Sequence, residues 1–323
     1  MPGAPRAGRR VRNTGVSPVS FGQPAMESIF ASLPDSSVLR SSLPQIAASS
    51  APVLILGEPG TGRSALARLL HTSGSRAAAP LVELDPAAIP SSLFESELFG
   101  FRAGAFTGAE RSQAGRIARA EGGTLVLDHV EELPLASQPK LLRLLAEHRY
   151  APLGGAETTA DVRFVAIGAH DLPERVGQGA FRSDLYFRLE VLTFVLPPLR
   201  ERAAELPGIV AAMLADFAER FSRPGLELAP HAATWMTHYS WPGNLRQLRN
   251  LLERAMLHAD GRLLDPPPPT EAGGLAPLAL AEAERGAILA ALAASRGHQG
   301  RAAVLLGISR KGLWEKRKRY GIP

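Results

Sequence analysis

The segment Gly57–Ser64 reads Gly-Glu-Pro-Gly-Thr-Gly-Arg-Ser and joins an apolar run, residues 51–56, to a helical pattern. A glycine-rich turn between a strand and a helix aims backbone N–H groups inward and adds the positive helix end, an arrangement that binds phosphate. Gly57, Glu58, Pro59, Gly60, Thr61, Gly62, Arg63 and Ser64 are therefore candidate nucleotide-binding residues, with the Ser64 hydroxyl directed at Mg²⁺. The phosphate-loop pattern reserves a lysine for the position held by Arg63. Its guanidinium keeps the charge but is longer, planar and stricter in geometry, which predicts retained binding and poorer placement of the transferred group. A second acidic segment, Gly122–His129, ends an apolar run at Asp128. A carboxylate at the end of a buried strand is placed to hold Mg²⁺ through water, so Ser64 and Asp128 are the metal candidates and ATP with Mg²⁺ the expected ligands.

About forty residues after the phosphate loop comes Gly104-Ala105-Phe106-Thr107-Gly108-Ala109. Two glycines and a threonine make a poor helix and a poor strand, so the segment reads as a loop. Phe106 at its centre has two readings: it folds back on its own domain, or it is the tip of a contact device.

The elements that must position these groups follow from periodicity. Residues 51–58, 122–128 and 161–169 read as buried parallel strands, with helices between them at Ser64–His71 and Leu135–Glu147. Strands alternating with helices predict a parallel sheet covered on both faces. After Leu196-Pro197-Pro198 the pattern is helical to about His258, a lid over the nucleotide edge, with Trp235 and Trp241 as lid core and Trp241-Pro242-Gly243-Asn244 as the turn that starts a helix. Five prolines and a Gly-Gly pair mark 265–277 as a linker. Beyond it come an alanine-rich amphipathic helix at Leu278–Ser295, a short helix at Arg301–Leu306, a turn at Gly307 and a third helix capped by Ser309. The fold class expected is α/β, a P-loop parallel sheet with a helical lid, followed by an all-α domain. Its boundaries are 1–25 (disordered, basic), 26–198, 199–264, 265–277 and 278–323.

Composition narrows the function. With 323 residues and 45% hydrophobic content there is enough chain for one medium domain and an appendage. No apolar run approaches membrane-spanning length, and no signal peptide follows the basic start. Cysteine is absent, which removes disulfide and thiolate chemistry and fits a cytoplasmic setting. The net charge of +5 is modest, but residues 296–319 hold eight basic side chains against Glu315, so that end can bind a polyanion.

Residues 96–128, from Ser-Glu-Leu-Phe-Gly to Leu-Val-Leu-Asp, together with the Pro197–Arg202 run Pro-Pro-Leu-Arg-Glu-Arg, resemble the central AAA+ domain of bacterial enhancer-binding proteins that activate sigma-54 RNA polymerase. The resemblance covers about residues 26–323. It implies that Gly104–Ala109 touches the sigma factor, and that the chain assembles with itself, from dimer to hexameric ring. It also implies that Arg182 and Arg188 reach a neighbour's nucleotide, and that Arg246 senses bound phosphate. The short lead-in leaves no space for the sensory domain that many relatives carry. Counting Arg63, four departures fall at the family's reaction centre. His129 stands where the water-orienting glutamate is expected, and a neutral imidazole with one acceptor nitrogen is a weak substitute. Glu131 and Glu132 lie past the strand end and are not expected to replace it. Gly168 and Ala169 stand where Thr-Asn is expected, and Asp85 where an asparagine is. Asp128, His129, Arg182 and Arg188 are the catalytic candidates, and the departures predict impaired hydrolysis. Two alternatives stay open: a non-hydrolysing regulator acting by occupancy or by mixing with active relatives, and a P-loop ATPase unrelated to transcription.

Residues 300–322 resemble a Fis-type helix-turn-helix. In that arrangement Ala302, Ala303, Leu305, Leu306, Leu313 and Trp314 face inward. Arg310 and Lys311, near the start of the second helix, are base-reading candidates; Lys316, Arg317 and Lys318 are phosphate candidates, with Arg319 also available to DNA. Lys316→Ala is expected to weaken binding at all sequences and flatten its salt dependence. Arg310→Ala should instead cost ~1–3 kcal/mol at one base position. Titrations of several operators across salt concentrations check this; identical behaviour of the two variants contradicts the division of roles.

Overall fold

In a computed structural model the apolar runs form a five-stranded parallel sheet: β1 (Val53–Gly57), β2 (Leu81–Leu84), β3 (Thr124–Leu127), β4 (Arg163–Gly168) and β5 (Leu192–Leu196), in the order β2-β3-β4-β1-β5. The structure describes residues 43–259 and 261–269, with single positions 29, 30, 292, 295, 299, 302, 313 and 317. Every residue of β1, β3 and β4 is buried, because helices cover both faces of the central strands. Side chains alternate between the two layers. Val53, Ile55, Val165 and Ile167 pack with Leu66 and Leu70 of α1 (Arg63–Thr72). Leu54, Leu56, Leu125 and Phe164 pack on the other side with α2 (Ser91–Phe99), α3 (Gln138–Glu147) and α4 (Ser183–Leu189). α3 starts later than the sequence pattern predicts: Pro139 occupies its first turn, as proline favours, and Leu135 lies outside the helix and exposed.

From Leu199 the chain forms a 3-10 turn to Glu205 and then α5 (Leu206–Arg220), α6 (Pro230–His238) and α7 (Asn244–His258). Their apolar faces enclose a separate core in which Trp241 is fully buried, stacks on Trp235 at 6.0 Å between ring centroids, and donates its indole N–H to Met236 O at 2.9 Å. A two-residue parallel pair, Glu227–Leu228 with Leu263–Leu264, closes this bundle.

The lid is seated directly on the phosphate loop. Asn244 opens α7 with φ of 49°, and its side chain leaves its own helix. Its Oδ1 accepts the buried Leu199 N–H at 2.7 Å, while Nδ2 donates to Pro59 O at 3.0 Å and Glu58 Oε2 at 3.2 Å. The Arg246 N–H reaches Gly60 O at 3.3 Å. Gly60 has φ of +85°, and a Cβ there would stand 2.4 Å from Gly243 O, so only glycine lets loop and lid approach this closely.

Contacts divide the chain into Met1–Pro266 and Pro267–Pro323. In the second unit Ala302 and Leu313 are buried, and positions 302, 313 and 317 are helical. The helices expected over 278–323, Arg310, Lys311, Lys316, Lys318 and residues 1–25 lie outside the described residues apart from the single positions named above. Among the described residues no helix is long and apolar enough to cross a membrane. Asn244→Ala should destabilise the first unit by about 1–3 kcal/mol, because it strands the buried Leu199 amide without an acceptor. Denaturant unfolding measures this, and a loss below about 0.5 kcal/mol would show that the strut is dispensable.

Candidate functional site

The register sets the site. Leu56 lies opposite Gly168, Leu127 opposite Ala166, and Leu84 opposite Leu127, so Glu58, Asp85, Asp128 and Ala169 all leave the sheet at its carboxyl edge. There α1 presents Ser64, whose Oγ donates to Asp128 Oδ2 at 3.2 Å. The Thr61 N–H and hydroxyl are spent on Glu58 O, but the amides of Gly60, Gly62, Arg63 and Ser64 have no acceptor among the described residues. Unspent amides at a helix start, beside a hydroxyl and a carboxylate, fit a nucleotide phosphate chain with its Mg²⁺; Ser64 and Asp128 are the residues that would meet the ion.

Arg63 does not extend over this cradle. It is buried, and its Nη1 donates to Gly57 O at 2.9 Å and to Gly168 O, bridging the ends of β1 and β4. Burial pulls its pKa below the ordinary arginine value, and the charges of Asp128 and Glu131 oppose that pull. Arg246 is exposed and near enough for its charge to act on Arg63. At the loop's outer side Arg200 grips Glu58 through two bonds of 2.6 and 2.9 Å, which holds that carboxyl below its usual pKa against the opposing effect of burial.

His129 takes the left-handed conformation, φ 50° and ψ 52°. Its Nδ1 lies 3.1 Å from Asp85 Oδ1 and 3.8 Å from Asp128 Oδ1. Nδ1 therefore carries the proton that bonds Asp85, and in the neutral ring Nε2 is the acceptor. Glu131, one of the two glutamates past the strand end, comes into the site: its Oε2 accepts the Ala169 N–H at 3.1 Å. The short turn Val130–Glu132 swings it back over the sheet edge, whereas Glu132 faces Arg175 at 3.4 Å.

The arginines expected to serve a neighbour are held within the protomer. Arg182 makes two bonds to Asp184, at 2.7 and 3.0 Å, which raise the arginine's pKa and lower the aspartate's. Arg188 donates through Nε and Nη2 to Leu145 O, at 3.1 and 2.9 Å, satisfying a carbonyl in the last turn of α3.

Gly104–Ala109 is a loop above a two-residue antiparallel pair, Gly100–Phe101 with Gln113–Ala114. It is pinched at its base by Gly104 N–H to Ala109 O at 2.8 Å. Gly104 has φ of +82° with open space around it, so glycine serves the backbone there and not the packing. Ala105 touches a second turn at Gly154; Ala109 is buried; Thr107 and Gly108 are exposed. The Phe106 ring leans on Phe101 at 4.9 Å between centroids, and 45% of the residue stays exposed.

The chain matches the description Sigma-54 interaction domain over residues 29–195, AAA+ ATPase lid domain over 200–267, and Bacterial regulatory protein, Fis family, over 279–320. It is 42% identical over 288 residues to the alginate biosynthesis transcriptional regulatory protein AlgB of Pseudomonas aeruginosa, covering 86% of this chain and 64% of AlgB. It is 39% identical over 315 residues to the transcriptional regulatory protein ZraR of Klebsiella oxytoca, covering 94% of this chain and 71% of ZraR. Among solved structures it resembles NtrX from Brucella abortus in complex with ATP, with a TM-score of 0.64, 31% identity, and coverage of 88% of this chain and 67% of NtrX. The ADP complex of NtrX gives a TM-score of 0.65 at 30% identity, covering 88% and 68%.

Proposed function

Because the chain belongs to the sigma-54 interaction family, with its AAA+ lid and Fis-type end, we propose that it is a cytoplasmic sigma-54-dependent transcription regulator. It binds ATP with Mg²⁺, binds promoter or enhancer DNA, assembles with its own copies, and touches sigma-54 RNA polymerase holoenzyme through Gly104–Ala109. The observation that carries the reading is the Ser64–Asp128 pair beside a glycine turn with unspent amides, on the same domain as a pinched loop with a half-exposed Phe106.

Nucleotide and Mg²⁺, when bound, supply the phosphoryl group and the charge that polarises it. The residues Gly57–Ser64 would hold the phosphates, Asp128 and Ser64 would hold the ion, and Arg246 on the lid would answer to the bound ligand. Arg182 and Arg188 serve a neighbouring copy only after leaving Asp184 and Leu145 O. Hydrolysis is slow on this reading. The imidazole of His129 is tied to Asp85, and Arg63 is turned onto backbone carbonyls. Losing a positioning or electrostatic group costs ~10²–10³ in rate, and such losses do not simply add.

Turnover by the purified protein should therefore be far below that of an ordinary relative while ATP still binds. Restoring a carboxylate at 129 alone would set it against Asp85, 3.1 Å from the present ring. The triple change Asp85→Asn, His129→Glu and Arg63→Lys should raise turnover by at least about tenfold. Fast turnover by the parent contradicts impaired hydrolysis; absence of ATP binding would favour a regulator that acts by occupying DNA. Phe106→Ala should abolish promoter activation with nucleotide affinity and melting temperature unchanged, since a central aromatic anchor commonly carries about 2 kcal/mol or more. Full activation in a reconstituted transcription assay would remove the loop from the interface.

A further inference from the structure

Two features of the carboxyl edge work against a third phosphate. Arg63, the cation of the loop, has its Nη1 committed to Gly57 O and Gly168 O. The Ala169 N–H, first past β4, is already taken by the Glu131 carboxylate at 3.1 Å. β1 and β4 are hydrogen-bonded neighbours with Leu56 opposite Gly168, so Ala169 stands about one strand spacing, ~4.8 Å, from the start of the phosphate loop. A phosphate chain held by the amides of residues 60–64 and led toward Ser64 and Asp128 runs along that same edge. The last member of a triphosphate laid this way would meet the Glu131 carboxylate where the Ala169 amide would otherwise be a donor.

We propose that Glu131, anchored on the Ala169 amide, makes this site selective for nucleoside diphosphates over triphosphates. The inference rests on the nucleotide-binding reading and specifies its ligand. Glu131 is held in place from two sides. The amide fixes Oε2, and the Arg63 charge lies close enough to interact with the carboxylate. Like charges at this range in a partly buried site repel more strongly than in water. A diphosphate ends before the carboxylate and escapes the repulsion.

The test is calorimetric titration of the full chain with MgADP and with the Mg²⁺ complex of the non-hydrolysed β,γ-imido analogue of ATP. The parent should bind the diphosphate at least about tenfold more tightly, a difference of about 1.4 kcal/mol. Glu131→Gln should bring the two affinities within about threefold, chiefly by tightening the triphosphate analogue, and Glu131→Ala should do the same. Glu132→Gln, whose carboxylate faces Arg175 at 3.4 Å, should leave the ratio as it was. Melting curves without ligand establish that each variant folds. Equal affinities in the parent, or a ratio unmoved by both Glu131 variants, overturns the selectivity and leaves nucleotide binding standing. Failure of the parent to bind either ligand overturns the nucleotide reading itself and the selectivity with it.

Discussion

A parallel sheet delivers the last carbonyls of its strands to one edge, where no further strand residue pairs with them. On the function proposed above the same edge also accepts phosphate, so the carbonyls of β1 and β4 are best met by a partner that brings positive charge. Arg63 is that partner. Its guanidinium spans Gly57 O and Gly168 O, and Asp128 and Glu131 supply the opposing charges that a buried cation requires. Much of the site follows from this one bridge. Gly168 is confined, since a Cβ there would come within 3.1 Å of both Leu172 and Leu56. Glu131 lies over the strand end, on the Ala169 amide, within reach of the Arg63 charge.

The second constraint is the seam between sheet domain and lid. Asn244, Arg200 and the Arg246 amide converge on three consecutive residues of the phosphate loop, at the Glu58 carboxylate and the carbonyls of Pro59 and Gly60. Because Asn244 also holds the Leu199 amide, at the start of the lid, a shift of the loop is transmitted to α7 and to the lid's entry together. The lid core around Trp241 is separate from the sheet core, so the polar contacts of this seam, not shared apolar packing, join loop and lid.

The sheet's centre was legible because β1, β3 and β4 are unbroken apolar runs, as strands buried on both faces must be. The edge strands β2 and β5 were not singled out: each is only partly buried, and in β5 exposed and half-exposed residues alternate, a weaker signal over five residues. The phosphate loop, Asp128 and the Gly104–Ala109 loop stood out because their residue types are poor structure formers at fixed spacing. The place of Glu131 at the site is not legible in the sequence. A residue past a strand end usually points to solvent, but the turn at Val130–Glu132 folds this one back onto Ala169. Asn244 was visible only as part of a turn; its reach to Pro59 spans almost the whole domain in sequence, and no local pattern carries such a contact.

The Phe101–Phe106 contact gives the loop a threshold. An aromatic pair of this kind contributes ~0.5–1.5 kcal/mol beyond its buried area. A passing apolar surface that offers no more than Phe101 already does gains nothing by drawing the ring out, so casual encounters leave the tip folded down. Only a surface with a deeper, better shaped pocket displaces it. On the proposed function, discrimination among partners is in this way built partly into the resting loop, before any partner's own features come into play.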